Sequence, residues 1–311
     1  MEDIYDVIIL GAGPAGLSAG IYASRAKLKT LILNEGTIGG QVILTHEIAN
    51  YPGVETTNGF QLINIMKKQA KDFGCIIKAN LTVKGINLSS KIKEIETDSG
   101  DIYKAKTIIL ATGGKPRYLN IPGEDEFKGR GVSYCATCDG EFFTGKEVVV
   151  VGGGNSAIEE SVSLAKYAGK ITIVHQFDHF QALPYYVEMA KKNPKIHFRM
   201  NSELREISGE SSVKLVKIEN LSNNHLSELN TDGIFVFIGY VANIEGLKNL
   251  VEINSKGEII VDHNMKTNVE GVYAAGDCIA KRYRQVTTAV ADGTIAALSV
   301  SDYLMNQNYI N

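Results

Sequence analysis

Residues 6–16 read DVIILGAGPAG (Asp6–Gly16), and this stretch decides the fold. Its first half, Asp6–Leu10, is a continuous apolar run of the kind that forms a strand buried in a parallel sheet. A helix-like stretch to about Arg25 follows the glycines, and a second apolar run covers Lys29–Leu33. The order strand, GxGxxG, helix, strand is typical of a βαβ dinucleotide-binding unit, whose glycines allow a tight turn and close approach to a pyrophosphate. After the second strand, Glu35 or Asn34 is placed to bind a ribose hydroxyl.

The same pattern occurs again in the middle of the chain. Residues Lys146–His175 read as strand, Gly152-Gly153-Gly154, helix and strand, and Asn155 or Ser156 is expected to cap that helix. The strand-like run Thr107–Gly114 closes the first unit before this second unit opens, and residues 267–305 return to the first pattern. We therefore predict an α/β fold with two Rossmann-like, doubly wound domains, the second inserted in the first. The predicted domains are residues 1–114 with 245–311, and residues 115–244.

Composition excludes several classes of protein. The chain has 311 residues, 44% of them hydrophobic, and a formal net charge of only −3, which does not indicate nucleic-acid binding or a polybasic membrane anchor. No apolar run approaches the roughly 20 residues that a membrane helix needs, and the N-terminus shows no signal peptide. The expected location is the cytoplasm.

Two of the four cysteines, Cys135 and Cys138, form a CxxC pair. Such a pair either closes and reopens a small disulfide ring or binds a metal. A structural zinc site needs four ligands, and Cys75 and Cys278 lack paired spacing, so we predict redox chemistry, no metal site, and two small buried thiols. Asp139 follows the pair directly and is the candidate general acid/base for a departing thiol.

Several further motifs carry a resemblance to a known family. They are GGQ (Gly39–Gln41), EIANYPG (Glu47–Gly53), ATGG (Ala111–Gly114), CATCDG (Cys135–Gly140) and GVYAAGDC (Gly271–Cys278). In order and spacing, over essentially the whole chain, they resemble the low-molecular-weight bacterial thioredoxin reductases. The resemblance implies a homodimer that reduces thioredoxin, with FAD in the discontinuous domain. It also implies that Cys138 faces the flavin and that Cys135 attacks the partner's disulfide.

Carried over to this chain, the resemblance assigns cofactor-binding residues. The pyrophosphate lies on the first glycine loop, the backbone near Val83 lies along the adenine, and Asp277 binds the ribityl chain. The helix beginning near Val286 directs its positive end at the flavin ring. The complete predicted set is Gly11, Gly13, Pro14, Ala15, Gly16, Asn34, Glu35, Gly40, Gln41, Asn50, Val83, Ala111, Thr112, Gly113, Gly276, Asp277, Arg284, Gln285 and Val286.

One segment departs from the family pattern. NADPH-dependent members carry His-Arg-Arg-x-x-x-Arg after the second strand of the second domain, and this chain reads HQFDHFQ (His175–Gln181) there. Each charged hydrogen bond to a phosphate contributes roughly 1.5–3 kcal/mol, so loss of three arginines weakens NADPH binding strongly. NADH calls for an acid at the strand end, where this chain has Gln176 and Phe177. The retained glycines, Gly152–Gly154, fit either a pyrophosphate or helix–strand packing alone.

This departure resembles the ferredoxin-linked flavin thioredoxin reductases, so the expected electron donor is reduced ferredoxin. Ferredoxins are acidic, and a basic docking face is expected. The candidate bases are Lys166, Lys170, Lys191, Lys192, Lys195, Arg199 and Arg205, and nearer the flavin Lys281, Arg282 and Arg284. The alternatives are an NADPH- or NADH-dependent reductase with an atypical nucleotide site, a disulfide reductase for a protein other than thioredoxin, and a flavoprotein redox sensor. The complete CATCD motif argues against the sensor.

Overall fold

The computed structural model describes residues 4–45, 48 and 50–307, with the backbone alone for Leu44, Thr137, Cys138 and Tyr240. The described chain forms two compact units that meet at Lys115/Pro116 and Tyr240/Val241. We call residues up to Lys115 and from Val241 the outer unit, and Pro116–Tyr240 the inserted unit. The predicted boundaries were 114/115 and 244/245, so the return to the outer unit comes four residues earlier than expected.

The outer unit opens with the βαβ unit expected from the glycine motif. Its first part contains β1 (Ile4–Leu10), α1 (Pro14–Arg25), β2 (Thr30–Asn34), α2 (Gly59–Asp72), β3 (Ile76–Ala79), β4 (Val83–Asn87), β5 (Lys93–Thr97), β6 (Ile102–Leu110) and β7 (Gly114–Pro116). A short 3₁₀ helix, Gly40–Leu44, lies between β2 and α2.

The inserted unit repeats the plan and adds an antiparallel meander. It contains β8 (Val132–Ser133), α3 (Ala136–Asp139), β9 (Glu147–Val151), α4 (Asn155–Leu164), β10 (Lys170–Val174), α5 (Pro184–Lys192), β11 (Ile196–Arg199), β12 (Ser202–Gly209), β13 (Val213–Asn220), β14 (His225–Asn230) and β15 (Gly233–Val236). The chain then returns through β16 (Tyr240–Ala242), β17 (Val272–Ala274) and α6 (Val286–Asn306).

The outer sheet has the order β3-β2-β1-β6-β5-β4, with β17 also beside β6. Strands β3, β2, β1, β6 and β17 run parallel, and β4 and β5 are antiparallel additions. Apolar side chains fill both faces of β1: Val7 and Ile9 pack with α1, α2 and α6, whereas Ile8 and Leu10 pack toward Val251 and Ile259. Burial on both faces explains why β1 reads as a continuous apolar run.

The inserted sheet has the parallel order β11-β10-β9-β15-β8, and β12-β13-β14 form a separate antiparallel sheet. Alternate valines of β9 again face two cores: Val148 and Val150 meet α4, and Val149 and Val151 meet the meander. The predicted fold class, α/β with two Rossmann-like units, is confirmed. No described helix combines the length and the apolar character that crossing a bilayer requires.

Candidate functional site

The first glycine loop connects β1 to α1 and leaves space for a ligand. Gly11 has φ +109°, and a Cβ there would lie 2.2 Å from the carbonyl oxygen of Ala111, so no other residue fits. Gly13 is the N-cap of α1, with Pro14 as the first helical residue, and no atom lies within 4 Å of the Cβ position of Gly13. The helix therefore directs its free N–H groups toward open space, which suits a pyrophosphate.

The end of β2 braces this loop. Ala12 donates its N–H to Oδ1 of Asn34 at 2.8 Å, and the Asn34 amide donates to the carbonyl of Gly36 at 2.9 Å. The Glu35 carboxylate instead accepts the N–H of Val83 at 3.0 Å. Asn34 is thus the loop-bracing residue, and Glu35 is the exposed acid beside the strand start predicted to lie along the adenine.

Loops that are distant in sequence meet around the same space. A Cβ on Gly40 would lie 3.5 Å from the Cα of Gly13, which brings the turn carrying Gln41 against the first loop. The Asn50 amide donates to Oε1 of Gln285 at 3.3 Å. Glu47 and Ala49 of the EIANYPG motif lie outside the described residues.

Buried polar atoms without partners mark the far side of the space. Oγ1 of Thr112 and Oδ1 of Asp277 are buried without a hydrogen bond to a described atom, although Lys281 Nζ lies 3.6 Å from that Asp277 oxygen. Apart from its chain neighbours, no described atom lies within 4 Å of the Cβ position of Gly113. Buried polar atoms are normally satisfied, so these two fit a ligand with hydroxyl groups. The remainder of the Asp277 side chain is 40% exposed, and burial raises the pKa of its carboxyl despite Lys281 and Arg284 nearby.

Side chains near the N-terminus of α6 make local contacts, and two of them, Lys281 and Arg284, were predicted from the sequence to belong to a basic docking face. Gln285 donates its N–H to Oγ1 of Thr288 at 3.1 Å, and Lys281 Nζ bonds Asp292 Oδ2 at 2.6 Å. Arg284 pairs with Glu258. Lys281 is only 12% exposed and Arg284 is 32% exposed, and both are paired with acids, so these two bases offer less free charge to a docking partner than the sequence suggested. No local pattern indicated Asp292 and Glu258, because their roles depend on tertiary contacts.

The redox motif lies at the end of β8 in the inserted unit. Cys135 is disulfide-bonded, and its N–H donates to the Ser133 hydroxyl at 3.1 Å. That hydroxyl donates to Oδ2 of Asp139 at 2.6 Å. The Cys138 side chain, and with it the predicted Cys138 role, lies outside the described residues. Cys75 and Cys278 are buried free thiols, as predicted.

The second glycine loop is covered by the chain that follows β10. Gly152 has φ +133°, and a Cβ on Gly153 would lie 2.4 Å from Nε2 of His175. Gln181 donates its N–H to the carbonyl of Gly153 at 2.8 Å. The His175 ring is buried between Phe177 and Phe180, and burial lowers its pKa, which favours the neutral form of the ring.

The N-terminus of α4 differs from the prediction. Its N-cap is Gly154, without a side-chain hydrogen bond, and Oδ1 of Asn155 accepts the N–H of Leu183 at 2.7 Å. The expected capping by Asn155 or Ser156 was therefore wrong, because a tertiary contact uses the Asn155 oxygen. This contact also holds the segment after His175 against the glycine loop.

The predicted basic face of the inserted unit is partly paired with acids. Lys170 pairs with Glu147 at 2.9 Å, and Arg205 contacts both Glu203 and Glu219. Lys192 lies 3.9 Å from Glu188, and Lys195 Nζ donates to the carbonyls of Ala165 and Ala168. Three of the candidate bases, Lys170, Lys192 and Arg205, are thus paired with carboxylates, which lowers the positive charge available to a docking partner.

The two sites define a class of protein. The outer unit offers a glycine loop beside space for a dinucleotide, and the inserted unit carries a disulfide-bonded cysteine with a carboxylate linked to it through a serine. Across residues 4–45, 48 and 50–307, no three His, Cys, Asp or Glu side chains are grouped as a metal site requires. Fold and site together define a two-domain disulphide oxidoreductase.

Comparisons with known proteins agree with this class. Residues 5–293 match the family model of pyridine nucleotide-disulphide oxidoreductases. Thioredoxin reductase of Peptoclostridium acidaminophilum is 48% identical over 311 residues, covering 98% of each chain. The crystal structure of Lactococcus lactis thioredoxin reductase superposes with a TM-score of 0.94 at 40% identity, covering 97% of this chain and 99% of that one. A ferredoxin-flavin thioredoxin reductase from Clostridium acetobutylicum is 32% identical, with a TM-score of 0.53, covering 97% and 98%.

The chain belongs to the thioredoxin reductases of the pyridine nucleotide-disulphide oxidoreductase family. It is therefore a flavoprotein oxidoreductase whose substrate partner is thioredoxin. The predicted cofactor residues of the outer unit come from loops that the fold brings together. Ser133, which links Cys135 to Asp139, was missed because no sequence pattern marks it.

Proposed function

We propose that this thioredoxin reductase binds FAD in its outer unit and draws its electrons from a ferredoxin-type protein instead of NADPH. The observation that carries the choice of donor is the segment His175–Gln181, which has aromatic side chains and no arginine or lysine where NADPH-dependent members carry a phosphate-binding arginine cluster. Arginine and lysine are the side chains that suit a phosphate dianion, and this segment contains neither.

The outer unit fits FAD in shape and in hydrogen bonding. The open space at Gly13, the N-terminus of α1 and the buried Thr112 and Asp277 oxygens that lack a hydrogen bond suit a pyrophosphate and a polyol chain. When bound, FAD supplies a carrier that accepts electrons singly or in pairs and delivers a pair to a disulfide. The residues that hold it are the predicted set, from Gly11–Gly16 to Arg284, Gln285 and Val286.

The inserted unit supplies the exchange chemistry. Cys135 and Cys138 form the disulfide that is reduced to a dithiol, and the Cys135 thiolate then attacks the disulfide of thioredoxin. Asp139 gives a proton to the departing thiolate and recovers one when the dithiol is reoxidised. The domain predicted over residues 115–244 thus resembles a nucleotide-binding domain and carries the redox-active cysteine pair.

The structure around the second glycine loop supports a donor other than NADPH. His175 lies against Gly153 within the space that any side chain at Gly153 would need, and Gln181 bonds the Gly153 carbonyl. Asp178, in the same segment, hydrogen-bonds His179 at 2.6 Å, so the acid that the segment contains is paired with a histidine. The Clostridium acetobutylicum protein, named as ferredoxin-linked, provides a precedent for this fold.

An anaerobic titration tests the proposal. NADPH, NADH and reduced ferredoxin are added separately to the oxidised holoenzyme with thioredoxin, and bleaching of the flavin absorbance is followed. A variant carrying Gln176→Arg, Phe177→Arg and Gln181→Arg is the matched control, because it restores the missing cations. We expect ferredoxin alone to bleach the wild type, and NADPH to bleach the variant better than the wild type. Rapid bleaching of the wild type at micromolar NADPH or NADH would refute the choice of donor.

A nicotinamide nucleotide is the second candidate donor. The observation in its favour is Gly154, which caps α4 and has no atom within 4 Å of its Cβ position, so a pyrophosphate still has room there. Several similar proteins also bear the plain name thioredoxin reductase. The same titration separates the two donors. The homodimer and the cytoplasmic location stay predictions of the family resemblance.

A further inference from the structure

Ser133 contacts both Cys135 and Asp139, the two residues of the redox motif that the proposed chemistry uses. It is the last residue of β8 and only 5% exposed. Its hydroxyl lies 2.6 Å from Oδ2 of Asp139, 3.2 Å from the carbonyl oxygen of Cys135 and 3.1 Å from the Cys135 nitrogen. A single buried hydroxyl therefore touches the candidate acid/base and both backbone groups of the cysteine.

We propose that Ser133 is a positioning residue for Asp139. Its hydroxyl can rotate, so it keeps a hydrogen bond to the Asp139 carboxyl group whether that group is ionised or protonated. When Asp139 is ionised, Ser133 donates to Oδ2 and accepts the N–H of Cys135. When Asp139 is protonated, Oδ2 donates to the Ser133 oxygen, and the Ser133 hydrogen turns to the Cys135 carbonyl. Both arrangements use distances that the structure already holds.

The proton balance of the exchange step requires such a partner. A protonated Asp139 transfers its proton to a departing thiolate, which becomes a thiol and leaves a carboxylate. The new carboxylate is partly buried, and without a donor it would lose a charge-assisted hydrogen bond at the moment it forms. Rotation of the Ser133 hydroxyl supplies that bond without moving a heavy atom. The inference rests on the proposed acid/base role of Asp139.

A structural role alone explains the contacts less completely. β8 is a two-residue strand whose register partner for Ser133 is Phe235, and burial in this strand does not by itself require a hydroxyl. A hydroxyl that only anchored the Cys135 N–H would need no contact with Asp139. The 2.6 Å distance is typical of a hydrogen bond between a hydroxyl and a carboxylate.

The test compares Ser133→Ala, which removes the rotating hydroxyl, with Ser133→Thr, which keeps a hydroxyl. Asp139→Asn and the double variant Ser133→Ala/Asp139→Asn complete a cycle. Each FAD-loaded protein is reduced with dithionite and mixed with oxidised thioredoxin across a range of pH. Acid quenching and alkylation then count the thiols formed on thioredoxin. This single-turnover assay does not depend on the natural electron donor.

We expect Ser133→Ala to slow thioredoxin reduction about 10- to 100-fold, the effect of one charged hydrogen bond, and Ser133→Thr to restore most of the rate. Losing the donor disfavours the ionised carboxylate, so the limb of the pH profile that depends on Asp139 should move to higher pH in Ser133→Ala. In the Asp139→Asn background, Ser133→Ala should add little further loss. A merely structural serine would give an unshifted pH profile and additive losses.

The outcomes separate the inference from the function on which it rests. If Asp139→Asn is slow while Ser133→Ala is as fast as the wild type, or loses rate without a pH shift, the role of Ser133 is overturned alone. If Asp139→Asn is as fast as the wild type, or the wild type leaves thioredoxin oxidised, the proposed acid/base function fails and the role of Ser133 fails with it.

Discussion

At the scale of single residues, the four cysteines have different fates that follow from their surroundings. Burial raises the pKa of the Cys75 thiol to about 12, and Cys278 is fully buried with a raised pKa from the same cause. Thiols held in the neutral form do not exchange with disulfides. Cys135 is partly exposed and disulfide-bonded, so reactivity is confined to the CxxC pair.

Replacing Cys135 with serine should abolish thioredoxin reduction, because no thiolate remains to attack the partner's disulfide. Flavin absorbance should be retained, since Cys135 lies in the inserted unit and the FAD residues lie in the outer unit. Cys75→Ala is the matched control and should reduce thioredoxin at the wild-type rate. The measurement is thiol release on thioredoxin after dithionite reduction; turnover by Cys135→Ser would contradict the assignment.

At the scale of elements, helix α4 carries Glu160, whose carboxyl group has a raised pKa. Burial, helped by the neighbouring Glu159, raises the pKa of Glu160 to about 7. The folded protein therefore keeps a proton on Glu160 between pH 4.5 and pH 7, whereas the unfolded chain has lost it. Since the folded state binds more protons in this window, the free energy of unfolding falls as pH rises, and the loss is complete above pH 7.

Glu160→Gln should remove this dependence. We expect the variant to match the wild type near pH 4.5 and to become more stable than it as pH rises to 7, by at most about 3 kcal/mol. Urea unfolding at several pH values measures the difference. The exposed neighbour Glu159→Gln serves as control and should change stability much less. An equal difference at all pH values would show that packing, not ionisation, is responsible.

At the scale of the whole molecule, the insertion is made through two short strands. β7 and β16, which contain the two crossings between the units, pair in a sheet of their own. The chain therefore leaves and re-enters the outer unit at neighbouring points. The outer sheet also has apolar cores on both faces that are built from outer-unit residues. These two facts indicate that the outer unit can fold without the insert.

Replacing Pro116–Tyr240 with a short Gly/Ser linker should give a folded chain that binds FAD but does not reduce thioredoxin. Absorbance of protein-bound flavin after desalting measures the first property, and thiol release measures the second. The full-length Cys135→Ser protein provides the comparison, because it also binds flavin without turnover. A shortened chain that is unfolded, or folded without flavin, would contradict the assignment of the cofactor to the outer unit.

The sequence by itself determined the architecture. Continuous apolar runs at Asp6–Leu10 and Glu147–Val151, each followed by glycines, predict buried parallel strands and sharp turns, because local burial and backbone conformation follow from local residue types. The helix start at Val286 and the buried state of Cys75 and Cys278 were predicted in the same way. The inserted order of the units followed from the repetition of one local pattern along the chain.

Tertiary structure alone decided how charged and polar side chains are used. Arg284 and Lys281 were predicted as members of a basic face, but Glu258 and Asp292 neutralise them, and Asn155 holds Leu183 instead of capping α4. Ser133 gains its contact with Asp139 because the chain turns back after β8. A hydrogen bond or an ion pair depends on which distant groups are brought within about 3 Å, and no local pattern encodes that distance.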